Sequence, residues 1–266
     1  SRCKSVCYCG VEHQRSDFTR NEGHKLLCGY DCSGRSSSDK AYSSIKQLWE
    51  SVTCGELVWY PKTQEYWKAA PATVDGMLGG LANVVDEADI ADSTKLIKSL
   101  ISAHIISNTK SALDVGAGIG RVTRFVLAPT FSKVDLLEQS AQYLEKAKSL
   151  MLEDPALSER LGELHCCPMQ KFTPASENKP HWSLVWIQWV CIYFTDEDFI
   201  RFLRQFNQPG TVIVVKDNLT RDNTFFVDAT DSSVMRSHLH YLSLFQQAGL
   251  KLLQTHAQPD LPKELF

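Results

Sequence analysis

The sequence has no long apolar run and no large excess of one charge. Its most apolar stretch, residues 184–194, is interrupted by Gln188 and is far too short to cross a bilayer. The formal net charge of the 266 residues is only −3, so no attraction to nucleic acid or to an acidic membrane surface is expected. A basic stretch followed by an apolar one is also missing at the N-terminus, so no secretory signal is predicted.

Paired Cys-x2-Cys knuckles, the usual mark of a zinc module, are missing as well. The first 40 residues nevertheless hold several potential ligands, namely Cys3, Cys7, Cys9, His13, His24, Cys28 and Cys32. Thiolate and imidazole suit zinc, but the spacings Cys-x3-Cys-x-Cys and Cys-x3-Cys do not have the form of a known module. We therefore interpret this stretch as a flexible leader and predict no metal site. The remaining cysteines are interpreted as small core residues in a reducing compartment: Cys54, Cys166, Cys167 and Cys191.

Strand and helix patterns alternate along most of the chain, which divides into three parts. Residues 1–40 form the Cys-rich leader, residues 41–108 a helical segment expected to cap the substrate, and residues 109–266 the main domain. In the main domain the strands are predicted at residues 111–115, 133–137, 163–167, 183–188, 211–216 and 250–255, and the helices at residues 119–127, 141–152, 196–206 and 233–248. The alternation predicts a Rossmann-like α/β fold with a doubly wound, mostly parallel sheet and an N-terminal helical extension. No long seventh strand is predicted before Phe266, so either the sequence is trimmed at its C-terminus or one sheet edge is incomplete.

A glycine-rich loop directly follows the first predicted strand of the main domain. Gly116, Gly118 and Gly120 are spaced Gly-x-Gly-x-Gly, and glycine lets a backbone turn tightly and lie close to a ligand. The loop opens onto a predicted helix, whose free N–H groups favour carboxylate or phosphate. Glu138 ends the next strand, about 20 residues on, where an acidic residue usually accepts hydrogen bonds from ribose hydroxyls. These features predict a nucleotide-like cofactor.

Two cofactor classes compete for this loop. Dinucleotide enzymes have Gly-x-Gly-x-x-Gly and bind a pyrophosphate at the helix N-terminus. Here the third glycine comes one residue early, and Arg121 stands where the glycine is expected. A guanidinium pairs well with a carboxylate, and S-adenosylmethionine has a carboxylate but no phosphate. The loop therefore favours a class I methyltransferase over a dehydrogenase.

Several further motifs point to a particular family. In chain order they are Tyr66-Trp67, the stretch 73–80, the stretch 185–190, the stretch 215–218 and the stretch 228–234. Together they resemble the α-N-terminal protein methyltransferases over roughly residues 55–266. The resemblance implies S-adenosylmethionine-dependent methylation of the α-amino group of proteins that begin Xaa-Pro-Lys or Xaa-Pro-Arg. It further implies ribosomal or chromatin proteins as partners, and a monomeric enzyme of the nucleus and cytoplasm.

The resemblance also assigns residues to the two ligands. It implies cofactor contacts from Gly116, Gly118, Arg121, Glu138, Gln139, Ser140, Met169, Gln170 and Gln188. It implies a substrate channel lined by Trp67, Leu78, Gly79, Trp189, Asn218, Asp228, Asp231 and Ser233. The residue types agree, since two carboxylates attract the substrate's cations and an indole offers a flat face to proline. Alternatives stay open: the tryptophans can fill the core, and Asp231 can cap a helix that begins near Val234.

Asp231, Asn218 and Tyr193 are the candidate catalytic residues. Asp231 is expected to accept the proton of the α-amine, directly or through water, while Asn218 is expected to bind the peptide backbone. Tyr193 stands where the family motif carries a histidine. Because the pKa of tyrosine is about 10, it is a poor base near neutral pH, which leaves the number of methyl groups open. A methyltransferase for another protein or a small molecule, and a catalytically weak binding module with the same fold, remain alternatives.

Overall fold

The computed structural model describes residues 3–9, 30–174 and 182–258, with side chains from residue 30 onward. The strands are β1 (Cys3–Cys9), β2 (Gly34–Ser36), β3 (Ala41–Tyr42), β4 (Ser111–Val115), β5 (Lys133–Glu138), β6 (Leu161–Cys166), β7 (Leu184–Gln188), β8 (Val212–Asn218), β9 (Phe225–Asp228), β10 (Ser233–Met235) and β11 (Lys251–Ala257). The α-helices are α1 (Ile45–Thr53), α2 (Tyr60–Ala69), α3 (Val74–Met77), α4 (Ala82–Ser102), α5 (Ala141–Leu152), α6 (Pro155–Ser158), α7 (Asp196–Arg204) and α8 (His238–Gln247). Shorter helical turns are the π-helical segment Thr123–Leu127 and the 3-10 turns Met169–Lys171 and Cys191–Tyr193. No helix in these three ranges is long and apolar enough to span a membrane.

The main sheet has seven strands in the order β11-β1-β8-β7-β4-β5-β6. The five strands from β8 to β6 pair in parallel, whereas β1 is antiparallel to both of its neighbours. This confirms the predicted doubly wound, mostly parallel sheet. The strand order reverses between β4 and β7, and in such sheets ligands bind beyond the carboxyl ends of the strands at this point.

Helices cover both faces of the sheet because its central strands are apolar on both sides. In β7, Val185 and Ile187 join the core cluster that includes α7 and α8. Leu184 and Trp186, one residue out of step, join the opposite cluster with α4 and α5. This period of two is the side-chain geometry of a strand, and continuous burial on both faces is typical of a parallel sheet.

A second, four-stranded sheet ties the N-terminal part of the chain to the main domain. Its order is β10-β9-β2-β3, with β2 parallel to β9. Behind it lies a third core cluster, in which Ile45 and Leu48 of α1 and Trp59 pack with Phe225 and Val234. The segment before β4 is therefore fixed to the β9–β10 hairpin, which carries three of the predicted substrate residues, Asp228, Asp231 and Ser233.

The structure differs from the sequence-based expectation at the leader and at the sheet edge. Residues 3–9 form strand β1 inside the main sheet, and residues 34–36 form β2, so these stretches are not a flexible leader. Among the described residues the sheet has seven strands, and the one between β8 and β11 comes from the N-terminal stretch. Strand β1 has three cysteines and only one branched aliphatic residue, Val6, so its strand pattern is weak. Its pairing partners are also remote in sequence. His13, His24 and Cys28 lie outside the described residues.

Two local predictions are also wrong. Residues 233–235 form β10 rather than the start of a helix, and α8 begins at His238 with Ser237 as its N-cap. Asp231 therefore does not cap that helix; its Oδ1 accepts the N–H of Ser233 across the turn at 3.1 Å. Cys54 and Cys166 are exposed, so the interpretation as core residues holds fully only for Cys191.

Candidate active site

A cleft of about 970 Å³, part of it open to solvent, lies beyond the carboxyl ends of β4, β5 and β7. Its walls bring together eight of the predicted cofactor residues, namely Gly116, Gly118, Arg121, Glu138, Gln139, Met169, Gln170 and Gln188. The predicted residues Trp67, Leu78, Trp189 and Tyr193 line it as well. Residues from both predicted sites thus share one cavity.

The glycine loop has a backbone that other residues rarely adopt. Gly116 and Gly118 have φ values of 68° and 55°, in the left-handed region. A Cβ on Gly116 would lie 2.4 Å from Cγ2 of Val190, and one on Gly118 would lie 2.8 Å from Sδ of Met77. The loop therefore needs glycine for two reasons: its turn, and the closeness of the chain segments packed on it.

We expect Gly116→Ala to be more damaging than Gly55→Ala, its matched control. Gly55 also has a positive φ, of 81°, but nothing lies within 4 Å of the Cβ it would acquire. Both variants bear the backbone strain, whereas only Gly116→Ala must displace Val190. The extra loss in free energy of unfolding should be about 1–3 kcal/mol, with binding of S-adenosylhomocysteine weakened about tenfold or more. Urea unfolding and calorimetry measure both, and indistinguishable variants would refute the packing argument.

Glu138 links the glycine loop to the end of β5. Its Oε2 accepts the N–H of Gly118 at 3.1 Å, and its Oε1 accepts the N–H of Ser140 at 2.9 Å. Burial raises the pKa of this carboxyl, and the backbone N–H donors partly oppose that rise. The side chain of Ser140 does not line the cleft; it caps α5 by accepting the N–H of Tyr143 at 3.3 Å. Glu138 is thus held at the wall of the cleft, where the predicted ribose contact requires it.

Arg121 is buried at the cleft wall between two acidic residues of α4. Its Nη1 donates to Oδ1 of Asp86 at 2.8 Å, and its Nη2 donates to Oδ2 of Asp89 at 2.5 Å. Its guanidinium also lies 5.6 Å from the centre of the Trp189 ring. The motifs do not predict either acid, but a weaker signal exists. Asp89 stands at helical spacing before the buried Leu96, so it is a charged residue on the apolar face of α4.

Asp89 is the centre of a buried polar cluster behind the cleft. Besides Arg121, it accepts from Nζ of Lys216 at 2.5 Å and from Nε2 of Gln188 at 2.8 Å. Burial alone would raise the pKa of Asp89, but the attraction of Lys216 and Arg121 outweighs it and lowers the pKa. Oε1 of Gln188 accepts the indole N–H of Trp186 at 2.9 Å. One carboxylate therefore fixes two residues of the cleft wall to helix α4.

Tyr193 and Asp231 form the polar end of the site. The Tyr193 hydroxyl donates to Oδ2 of Asp231 at 2.9 Å, and its ring lies edge-on to Trp67 with the centroids 6.0 Å apart. Burial, together with the nearby Asp231 carboxylate, raises the pKa of Tyr193 well above its usual value. The carbonyl of Asp231 accepts from the Thr63 hydroxyl of α2 at 2.9 Å. Tyr193 is therefore a hydrogen-bond donor to Asp231, and Asp231 lies one hydrogen bond away from the cleft wall.

Trp189 has an unusual backbone for a residue at the cleft. Its φ is +52°, and strained residues of this kind cluster at functional sites. Its indole Nε1 is buried and has no hydrogen-bond partner among the described residues. Trp189 thus lines the cleft with an indole ring whose own N–H is buried.

The cleft wall does not include all of the predicted substrate residues. Those outside it are Gly79, Asn218, Asp228, Asp231 and Ser233. Oδ1 of Asp228 accepts the N–H of Thr230 at 2.8 Å, within the β9–β10 turn. Gly79 has a φ of 62° in the turn after α3. The functional roles of these residues stay predictions.

Other wall residues were not predicted from the sequence. They include Tyr60, Thr63, Met77, Asp114 and Tyr143. Asp114 is the penultimate residue of β4, just before the glycine loop. Burial raises its pKa to about 6, although Thr123 donates to it. The Tyr143 hydroxyl donates to the carbonyl of Ala70 at 2.8 Å, which joins α5 to the end of α2. Asp114 could have been found from its place before the loop, whereas the others depend on packing between remote segments.

Residues 56–266 match the family described as AdoMet-dependent proline di-methyltransferase. The chain belongs to this family. It is 36% identical over 253 residues to alpha N-terminal protein methyltransferase 1 of Arabidopsis thaliana, which covers 90% of this chain and 88% of the relative. The enzyme of the same name from Dictyostelium discoideum is 40% identical over 246 residues, or 88% of each chain.

A solved structure supports the same assignment. A SAM-dependent methyltransferase of Leishmania major is 35% identical, with a TM-score of 0.78, over 89% of this chain and 93% of that one. The predicted family, enzyme class, fold and cofactor are therefore confirmed, and the methyltransferase interpretation of the glycine loop is correct. The cleft suits S-adenosylmethionine, since its lining includes the guanidinium of Arg121, the carboxylate of Glu138 and the glycine loop.

No group of three side chains that could hold a metal ion occurs among residues 30–174 and 182–258.

Proposed function

We propose that this methyltransferase acts on the α-amino group of proteins that begin Xaa-Pro-Lys or Xaa-Pro-Arg. One relative, 38% identical over 216 residues, is the N-terminal Xaa-Pro-Lys N-methyltransferase 1 of Xenopus tropicalis. The observation that carries the proposal is the pairing of the Tyr193 hydroxyl with the Asp231 carboxylate beside Trp67. A carboxylate next to aromatic walls suits a cationic N-terminus followed by a proline ring.

When bound, S-adenosylmethionine supplies a methyl group on a positively charged sulfur. The amine nitrogen must approach that methyl carbon as a neutral lone pair, so that an N–C bond forms while the C–S bond breaks. An α-amino group has a pKa of about 7.7–8.0 and is largely protonated near neutral pH. Asp231 attracts the ammonium and takes its proton, directly or through water. The two hydrogen bonds that Asp231 receives, from Tyr193 and from the backbone of Ser233, leave acceptor capacity for this.

The aromatic side chains position the peptide. Trp189 lines the cleft, while its indole N–H is buried and has no partner among the described residues. A proline at the second position has no N–H that would need a partner, so it suits a flat apolar wall such as the indole ring. Asp228, in the nearby turn, is proposed to attract the basic third residue and Asn218 to bind the peptide backbone. Holding the reactants in line supplies much of the rate acceleration in such a reaction.

Mass spectrometry of peptide methylation tests the proposed substrate. The chain is incubated with S-adenosylmethionine and three peptides that begin Ala-Pro-Lys, acetyl-Ala-Pro-Lys and Ala-Ala-Lys. We expect only the first peptide to gain mass, in steps of about 14 Da, because each transferred methyl group replaces a hydrogen. The number of steps gives the number of methyl groups added. Equal methylation of the acetylated peptide would show that the α-amine is not the acceptor. Cofactor binding without methylation of any peptide would favour a binding module or another substrate.

The finer biological assignments are proposals of the same kind. We propose ribosomal or chromatin proteins with such N-termini as substrates, a monomeric enzyme, and action in the nucleus and cytoplasm. Support for protein substrates comes from the relatives, which are N-terminal protein methyltransferases. Sedimentation analysis tests the monomer, and fluorescence microscopy of a tagged chain tests the location.

Replacing Tyr193 by histidine should change the pH dependence of the reaction. The pKa of Tyr193 is raised well above its usual value, so the hydroxyl stays protonated over the whole range from pH 6 to pH 9. A histidine titrates near pH 6.5 and accepts protons above it. We expect Tyr193→His to raise kcat/KM by roughly two- to fivefold at pH 7 and to add an inflection near pH 6.5. Tyr193→Phe is the control: it has neither the hydroxyl nor a titrating ring, so its pH profile of kcat/KM should show no inflection near pH 6.5. An unchanged pH profile in Tyr193→His would refute the idea that proton transfer limits the reaction.

A further inference from the structure

The two carboxylates that hold Arg121 differ in how firmly they are bound. Asp89 is fully buried and also binds Lys216 and Gln188. Asp86 has a side chain that is 34% exposed, and its ion pair with Nη1 of Arg121 at 2.8 Å is its one ion pair among the described residues. Arg121 therefore has an inner, fixed partner and an outer partner that solvent can reach.

The energetics of the two contacts follow from their burial. Losing the inner contact would leave charges buried without partners, which strongly destabilises a fold. Losing the outer contact returns the half-buried Asp86 carboxylate to water, which offsets part of the cost, while the buried guanidinium keeps its contact with Asp89. Nη1 is consequently the side of the guanidinium that a second carboxylate can take over.

The local excess of negative charge disfavours two carboxylates at Nη1 of Arg121 at the same time. Within the part of the chain that the structure describes, the cluster around Arg121 contains Asp86, Asp89 and Asp92 but only two permanent cations, Arg121 and Lys216. A further carboxylate that reached Arg121 beside Asp86 would add a like charge a few ångströms from one already present, which is unfavourable. The incoming carboxylate and Asp86 therefore compete.

We propose that Asp86 competes with the carboxylate of the cofactor for Nη1 of Arg121, so that cofactor binding exchanges one carboxylate for another. The proposal rests on Arg121 as the partner of the cofactor's carboxylate. Asp86 is a positioning residue here: it keeps the guanidinium aligned, and it weakens the binding of both S-adenosylmethionine and the product S-adenosylhomocysteine. The consequence for turnover is easier release of the product.

Calorimetry with two ligands tests the exchange. S-adenosylhomocysteine carries the amino acid carboxylate, whereas 5′-methylthioadenosine keeps the adenosine and thioether but lacks it. We expect Asp86→Asn to tighten binding of S-adenosylhomocysteine by about three- to tenfold and to leave binding of methylthioadenosine unchanged. Glu87→Gln is the matched control, since Glu87 is an exposed neighbour on α4; it removes the same charge and should change neither affinity by more than about twofold.

The other possible results distinguish competition by Asp86 from the role of Arg121 and from the proposed substrate. Weaker binding of S-adenosylhomocysteine to Asp86→Asn would overturn it, because Asp86 would then bind the cofactor's ammonium. Unchanged binding, or equal tightening of both ligands, would overturn it as well. Arg121→Lys, which keeps a cation for Asp89, should lose affinity for S-adenosylhomocysteine alone; if it does not, Arg121 is not the carboxylate partner. Peptide methylation by the unmodified chain is independent of all these results and tests the proposed substrate separately.

Discussion

Asp231→Asn is expected to lower kcat for an Ala-Pro-Lys peptide by about 100- to 1,000-fold, the range typical of a lost general base. Asparagine keeps the shape of aspartate and one of its two oxygens, so it can still accept from either Tyr193 or the Ser233 N–H, which bind different oxygens of Asp231. It cannot take a proton from an ammonium. The loss should therefore fall on kcat, while the affinity for S-adenosylhomocysteine stays within about threefold of the unmodified chain.

Two further variants sharpen this test. Asp222→Asn is the matched control. It makes the same chemical change at an exposed residue of the loop before β9, away from the cleft. Asp228→Asn should raise KM for the peptide with little effect on kcat, since Asp228 is proposed to attract the basic third residue. If Asp231→Asn retains full kcat with an unchanged melting temperature, Asp231 is not the proton acceptor and solvent takes the proton directly.

Asp89→Asn is expected to lower the free energy of unfolding by about 3–5 kcal/mol. The change leaves the buried ammonium of Lys216 without its closest counter-ion and removes one of the two carboxylates on Arg121. For a chain of this size the melting temperature should fall by about 6–20 °C. The double variant Asp89→Leu with Lys216→Met removes both charges and should be more stable than Asp89→Asn, because apolar replacement of a whole buried pair is often tolerated.

The pH dependence of this effect provides an independent check. The folded-state pKa of Asp89 is lowered, so the stability that its charge contributes is fully present above the unfolded pKa of about 3.9. It is lost as the pH falls from there through the lower folded-state value. The difference between the unmodified chain and Asp89→Asn should accordingly be constant from pH 5 to pH 8 and shrink below pH 4. Glu87→Gln, on the exposed side of α4, should show no comparable loss at any pH.

The sequence predicted the parts of the fold that depend on local patterns. Strand β4 and helix α5 were located within their observed bounds, because a short apolar run and a 3.6-residue period are readable without knowledge of the partners. It failed where pairing is remote. Strand β1 pairs with β8 and β11, more than 200 residues away, and β10 is a strand only because β9 lies beside it.

The candidate site divides in the same way. Gly116, Gly118 and Glu138 could be found because the loop geometry and the strand end require those residue types at a fixed spacing. Asp86, Asp89 and Tyr143 could not, because each acts through a contact with a remote segment. Arg121 was expected from the sequence to pair with the cofactor's carboxylate. Only the structure shows that its guanidinium already donates to Asp86 and Asp89.

By itself, the sequence determined that this chain is an α/β methyltransferase, since a glycine loop, an arginine and an acidic strand end specify a cofactor through local chemistry. Tertiary structure alone decided how the cleft is completed. It brings Trp67 of α2 and Tyr193 after β7 together, pairs Tyr193 with Asp231, and places α4 carboxylates on the cofactor's arginine. These contacts join segments that are separated by 30 or more residues, and their charges and distances exist only after the chain has packed.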